Sequence, residues 1–318
     1  MNTAAKLCAY GAVLAVAFGG SWAAGSAVGP LTSSSAQAHA GHPDQANSEA
    51  RDTNRGTTTG TPQGTPAGLA STSGGYTLAP TTTLIAPGST DEFSFRITGP
   101  DGLPVTRFDT EHDKQMHLIV VRRDTAGYQH IHPEMNPDGT WHVPLRFADG
   151  GTYRVFADFA PTGSEAQTLG VDVSAPGTFT PLAPQPSRIA EVDGYQVRLD
   201  GDLVAGTSSP VTLTVSKDGR PVSNLQPYLA AYGHLVALRT SDLAYLHVHP
   251  TGTPGDGRTP AGPGIAFQAE VPSDGTYRLF LDFQHEGKVR TAEFTVAAQQ
   301  VSGRQSPPPA DDGHGGHG

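Results

Sequence analysis

The sequence predicts an all-β protein, with two tandem immunoglobulin-like β-sandwiches behind an N-terminal membrane helix and a flexible tether. Three observations carry that expectation. Short alternating segments sit between turn signals, as where Phe93, Phe95 and Ile97 alternate with Ser94 and Arg96 ahead of Pro100-Asp101-Gly102. No amphipathic helical period interrupts the first such unit. The stretch Met116–Pro133 then returns as Gly233–Pro250 at a constant offset of 117 residues, so one fold unit is written twice.

The composition agrees. A chain of 318 residues can hold two domains, each burying its own core. With 16% charged residues, 39 glycines and 27 prolines it suits short strands joined by turns. A net charge of −10 argues against a nucleic-acid partner, because phosphate binding needs clustered Lys and Arg. The single cysteine, Cys8, lies in the N-terminal apolar segment. It excludes an internal disulfide and a thiolate-ligated blue-copper centre, so a metal site must use His, Met or carboxylates.

Residues 1–30 read as a signal anchor or a signal peptide. Leu7–Val28 holds 22 residues without a charge, enough to cross a bilayer as a helix. Lys6 on the short flank predicts an inside N-terminus. Small residues suitable for cleavage stand at Ser21-Trp22-Ala23, Ala36-Gln37-Ala38 and Ala38-His39-Ala40. The expected location is the cell membrane, single-pass with extracytoplasmic domains, or a secreted form after cleavage. Residues 31–75 are Ser/Thr/Gly/Pro-rich and predict a disordered tether. Cleavage after Ala38 would set a free amino group beside His39, a pairing that chelates copper.

Residues 76–175 form the first predicted sandwich, 176–187 a Pro-rich linker and 188–297 the second sandwich. Asp218-Gly219 repeats Asp101-Gly102 at the same offset, while Gly275-Thr276-Tyr277-Arg278 repeats Gly151-Thr152-Tyr153-Arg154 at 124. The seven-residue difference falls in the Gly/Pro loop 251–264, where insertions cost little. Residues 298–318 read as a disordered tail carrying His314 and His317.

The repeated histidines are the candidate chemistry. His130 and His132 stand two apart, so on a strand both imidazoles leave one face. His117, on the preceding strand, joins that face if the intervening loop has even length. Two ligands from one strand and one from its neighbour make a three-histidine site with an open position. The second repeat offers His234, His247 and His249. Imidazole clusters suit copper first, with zinc the alternative. The same histidines also fit a core role, bonded to backbone. Asp158 and Asp282 recur after the Gly-Thr-Tyr turn and are candidates to orient a ligand histidine, or to bond backbone. Met116 should point to the opposite face, and His112, His142 and His285, which lack counterparts, are expected at the surface.

The paired His-x-His-Pro stretches within β-units, behind an export segment and tether, resemble exported actinobacterial-type proteins linked with heavy-metal handling. More distantly they resemble the YtkA-like and CopC-like copper-handling β-sandwich families of the cell envelope. The first resemblance implies an envelope metal role. The CopC-like pattern implies a mature N-terminal histidine, which here would be His39. No Gly-x-Ser-x-Gly elbow, phosphate loop or His-Glu-x-x-His helix is present, so no enzymatic activity is expected. The leading expectation is a membrane-tethered protein that captures or buffers copper through paired three-histidine sites, with a metal transporter as candidate partner. The alternative is a structural or adhesive tandem of immunoglobulin-like domains without metal. A three-histidine zinc hydrolase is the minor alternative.

Overall fold

A computed structural model of the protein describes residues 65–300, apart from His247; the predicted membrane helix, most of the tether and the tail lie outside the described residues. Among the described residues no helix is long and apolar enough to cross a membrane. The protein is all-β, as the alternating segments predicted.

The first repeat begins with β1 (Thr72–Ser73), β2 (Tyr76–Pro80), β3 (Thr90–Thr98), β4 (Phe108–Asp109) and β5 (His117–Arg122). It continues through β6 (Gln129–Ile131), β7 (Glu134–Met135), β8 (Thr140–Arg146), β9 (Gly151–Pro161) and β10 (Gln167–Ala175). One sheet has the order β1-β2-β3-β8-β7 and the other β10-β9-β5-β6, with β4 against β9. Their inner faces supply a closed core that includes Phe93, Phe95, Ile97, Trp141 and Leu118. Met116 packs into it, on the side away from the histidines as the sequence predicted.

The second repeat begins with β11 (Ile189–Val192), β12 (Tyr195–Asp200), β13 (Leu203–Val204), β14 (Thr207–Lys217), β15 (Arg220–Pro221) and β16 (His234–Arg239). It ends with β17 (Tyr245–Leu246), β18 (Val248–Pro250), β19 (Gly264–Val271), β20 (Gly275–His285) and β21 (Lys288–Gln299). Its sheets run β11-β12-β14-β19-β18 and β13-β21-β20-β16-β17, with β15 against β14. A matching turn marks both repeats. Tyr153 donates its hydroxyl to the carbonyl of Asp149 at 3.0 Å, and Tyr277 does the same to Ser273 at 2.9 Å. That is the tyrosine corner of immunoglobulin-like sandwiches, four residues back in each case.

The repeats do not hang apart on their linker. In β5, Leu118 and Val120 point into the first core, while Ile119 and Val121 point outward into a separate cluster. That cluster joins them and Phe156 to Val236, Leu238 and Phe280 of the second repeat. The contact is reciprocal. Tyr128 stacks on Phe280 with ring centroids 4.0 Å apart, and its equivalent Tyr245 meets Phe156, the equivalent of Phe280, at 5.7 Å. Each side thus offers the same patch to the other, the isologous logic of a two-fold dimer realised inside one chain. Strands covered on both faces carry unbroken apolar runs, which explains Leu118–Val121 and Leu235–Leu238.

The part of the predicted tether that lies within the described residues is folded onto the sandwiches. Thr72 and Ser73 pair with Thr77 and Tyr76, and residues 66–70 lie between the repeats as a strap. Gly68 donates its amide to Thr168 of the first repeat, while Tyr245 of the second donates its amide to Ala67. Arg154 grips the carbonyls of Gly68 and Leu69 at 2.6 and 2.7 Å. Gly68 is required there: its φ is +74° and a Cβ would stand 2.5 Å from the Phe156 ring.

Candidate metal centre

The register of the β5–β6 hairpin decides which face the histidines share. Ile119 lies opposite His130 and Leu118 opposite Ile131, so one step on, His117 faces His132. The even-loop condition is met. His117, His130 and His132 leave the outer face of the sheet, the same face that carries Ile119 and Val121 to the second repeat.

The three rings converge. Their candidate ligand atoms lie within 4.8 Å of one another, with His117 Nδ1 3.1 Å from His130 Nε2 and 3.2 Å from His132 Nε2. The outward nitrogens have their own partners. His117 Nε2–H donates to the Glu111 carbonyl at 3.0 Å, and His130 Nδ1–H donates to Asp282 Oδ2 at 2.8 Å. Those bonds fix which nitrogen carries the proton in the neutral form of each ring; in that form the lone pairs of His117 Nδ1 and His130 Nε2 aim at each other. Two acceptors that close repel unless a proton or a cation lies between them. Nitrogens of a tetrahedral site with bonds of about 2.0–2.1 Å stand about 3.3 Å apart, close to the spacing found here.

Electrostatics keep two of these rings neutral. Burial pushes His117 down to about 4 and His132 down to about 3, with neighbouring imidazoles adding to the effect. Neutral imidazole is the form that ligates metal.

Asp282 belongs to the second repeat, 152 residues from His130, and both side chains are buried, at 5% and 4% exposure. Its other oxygen accepts from Thr291 Oγ1 at 2.6 Å. Asp282 thus meets His130 across the repeat interface, a contact that no local pattern in the sequence encodes. Asp158 sits opposite His117 in the sheet and accepts from Thr168 Oγ1 at 2.8 Å.

The second set is arranged differently. His234 is buried beside the first cluster, its ring centroid 6.2 Å from His130 and 6.5 Å from His117. Its Nε2–H donates to the carbonyls of Tyr228 and Leu229 at 2.9 and 3.0 Å, which leaves Nδ1 with the lone pair. Burial lowers its pKa to about 4. His249 departs from the expectation that it lies beside His234. It is exposed on β18, opposite Gln268 of β19, and so belongs to the other sheet. The chain changes sheets after Leu246 here, whereas in the first repeat His130 is still paired with β5. His247 lies outside the described residues. Among the described residues, the first triad is the group whose ligand atoms gather.

Of two further histidines, His112 meets the expectation of a surface position and His285 departs from it. His112 is exposed, yet its ring packs 5.1 Å from His234 and 6.2 Å from His117. His285 is buried rather than superficial, held between the Tyr195 hydroxyl at 2.7 Å and Asn224 Oδ1 at 3.1 Å. His112, His117, His130, His234 and Asp158 line a cavity of about 60 Å³ between the repeats.

A family model described as a domain of unknown function, DUF8832, matches residues 70–177 and again 190–300. The chain belongs to the DUF8832 family. The double match places one family unit on each sandwich. No curated protein matches the chain. Among solved structures it is similar to FdeC, an Escherichia coli adhesin, at 18% identity and a TM-score of 0.24, over 74% of this chain and 65% of that one. It is similar to invasin, a bacterial integrin-binding protein, at 12% identity and a TM-score of 0.22, over 71% and 40%. A protein from Corynebacterium diphtheriae is similar at 10% identity and a TM-score of 0.21, over 72% and 60%. The chain spans less than two thirds of each of those structures.

Proposed function

We propose that this DUF8832 protein binds a transition-metal ion, copper or zinc, through His117, His130 and His132, and captures or buffers it outside the cytoplasm. One observation carries the reading: ring nitrogens from three residues gather within 4.8 Å, while the outward nitrogens of two are held by a carbonyl and a carboxyl group. A hydrogen-bonded histidine core has no need to aim two acceptors at one point. The uncharged segment Leu7–Val28 supports export or membrane attachment, and a metal transporter is the natural partner for a buffer of this kind.

A second reading has its own support. The reciprocal packing of Tyr128 on Phe280 and Tyr245 against Phe156 makes the tandem sandwich a stiff unit, as a structural or adhesive role requires. The His130–Asp282 bond then serves only to fasten it.

Cu(II) titration of the full chain, followed by EPR, separates the two. The metal reading expects nitrogen hyperfine structure that is lost in a His117/His130/His132→Ala variant. If the variant, which keeps the tail histidines, binds as tightly as the parent, the metal reading fails and the structural one stands.

A further inference from the structure

We propose that the histidine centre is a composite of both repeats, in which Asp282 orients His130 and His234 faces the open coordination position, so that an ion fastens the two sandwiches together. The inference rests on the metal reading of the triad and adds which parts of the second repeat complete it.

All three ligand candidates come from the first repeat, and three imidazoles leave a tetrahedral ion one position short. Ring centroids within the triad are 4.8 to 5.3 Å apart, near the roughly 5 Å expected of imidazoles sharing one ion. His234 stands farther off, at 6.2 and 6.5 Å, too far to share that ion directly and near enough to reach it through one water. The cavity of about 60 Å³ lined by His112, His117, His130, His234 and Asp158 has room for such water. His234 Nδ1 carries the lone pair, because Nε2–H is committed to Tyr228 and Leu229. It is therefore an acceptor for a proton of an ion-bound water.

The other link is direct. Asp282 fixes the ring plane of His130 and commits its proton to Nδ1, which leaves Nε2 for the ion. An ion seated on the triad pulls on His130, and through the 2.8 Å bond on β20 of the second repeat. The ion and the repeat interface are thus thermodynamically linked: whatever tightens one tightens the other.

The test uses the full chain with Zn(II) as probe, affinity from competition titration and hydrogen exchange by mass spectrometry. Zn(II) should slow exchange several-fold in residues 226–234 of the second repeat, which contributes none of the three ligands. Asp282→Ala should weaken Zn(II) about 10- to 100-fold and abolish that distant protection, and Asp282→Asn, which keeps an acceptor, should restore most of both. His234→Ala should keep three nitrogens in the Cu(II) EPR signature while losing protection at 226–234. If Zn(II) binds undiminished to Asp282→Ala and protects only the first repeat, the composite centre is wrong and the three-histidine reading survives. If the unaltered chain takes up no Zn(II) beyond its tail histidines, both fall. Should Asp282→Ala fail to fold, protection absent from the Asp282→Asn chain with Zn(II) bound overturns the proposal equally.

Discussion

Cutting the His130–Asp282 bond without any metal present tests the repeat interface most directly. Both side chains are about 95% buried, and Asp282 accepts from His130 and from Thr291. Asp282→Ala leaves the His130 Nδ1–H and the Thr291 hydroxyl without that acceptor, each at about 1–3 kcal/mol. Breaking a buried pair by removing one partner costs about 3–5 kcal/mol, so a loss near 3 kcal/mol is the working figure. For a cooperative unit of this size that is a fall in Tm of about 6–12 °C. Urea unfolding in EDTA of the parent, Asp282→Ala, His130→Ala and the double variant closes a cycle. A coupling of at least about 1.5 kcal/mol is expected for a buried charge-assisted bond. A coupling under about 0.5 kcal/mol would refute the bond across the interface, whatever the single variants do.

Acid should loosen the metal-free protein in a defined window. His117, His132 and His234 have folded pKa values lowered to about 4, 3 and 4 against about 6.5 unfolded, so the unfolded chain takes up more protons between those limits. Stability is then fully present above pH 6.5 and falls toward pH 4, by up to about 1.4 kcal/mol per pH unit for each histidine, and urea midpoints at pH 7, 5.5 and 4.5 should show a slope that His117→Ala reduces. Gly68→Ala should cost about 1–3 kcal/mol, since it brings a Cβ onto Phe156 at a positive φ, and thermal melts would show the fall. Phe280→Ala removes the ring under Tyr128 and should cost about 3–5 kcal/mol; a loss below 1 kcal/mol in urea would mean the repeats separate in solution. His249→Ala should leave the Cu(II) EPR signature unchanged, because that ring lies exposed on the other sheet.

Much of the fold was legible in local pattern. Phe93, Phe95 and Ile97 alternate because one face of β3 meets a core and the other meets solvent. The shared face of His130 and His132 followed from their spacing, whereas His117 hung on a loop parity that the sequence left open and the β5–β6 register supplies. What the pattern could not reveal is how two sheets stack, because that contact joins residues more than a hundred positions apart. Asp282 repeats Asp158 in sequence, yet nothing near it names His130 as its partner. One signal was available. Leu118–Val121 and Leu235–Leu238 show no polar alternation, and a strand with no polar side has both faces covered. His249 misled for a related reason: equal spacing in two repeats hides the place where β17 ends and β18 crosses to the other sheet.

The strap at residues 66–70 gives the protein a mechanical character. The chain enters the folded body at the seam, bonded to Thr168 on one side and through Ala67 to Tyr245 on the other. A pull from the N-terminal direction would not peel one sandwich away from its neighbour. It would shear both at once, with the Arg154 grip on Gly68 and Leu69 loaded alongside those amide bonds. Any tension that enters through residues 66–70 is delivered first to the interface between the sandwiches.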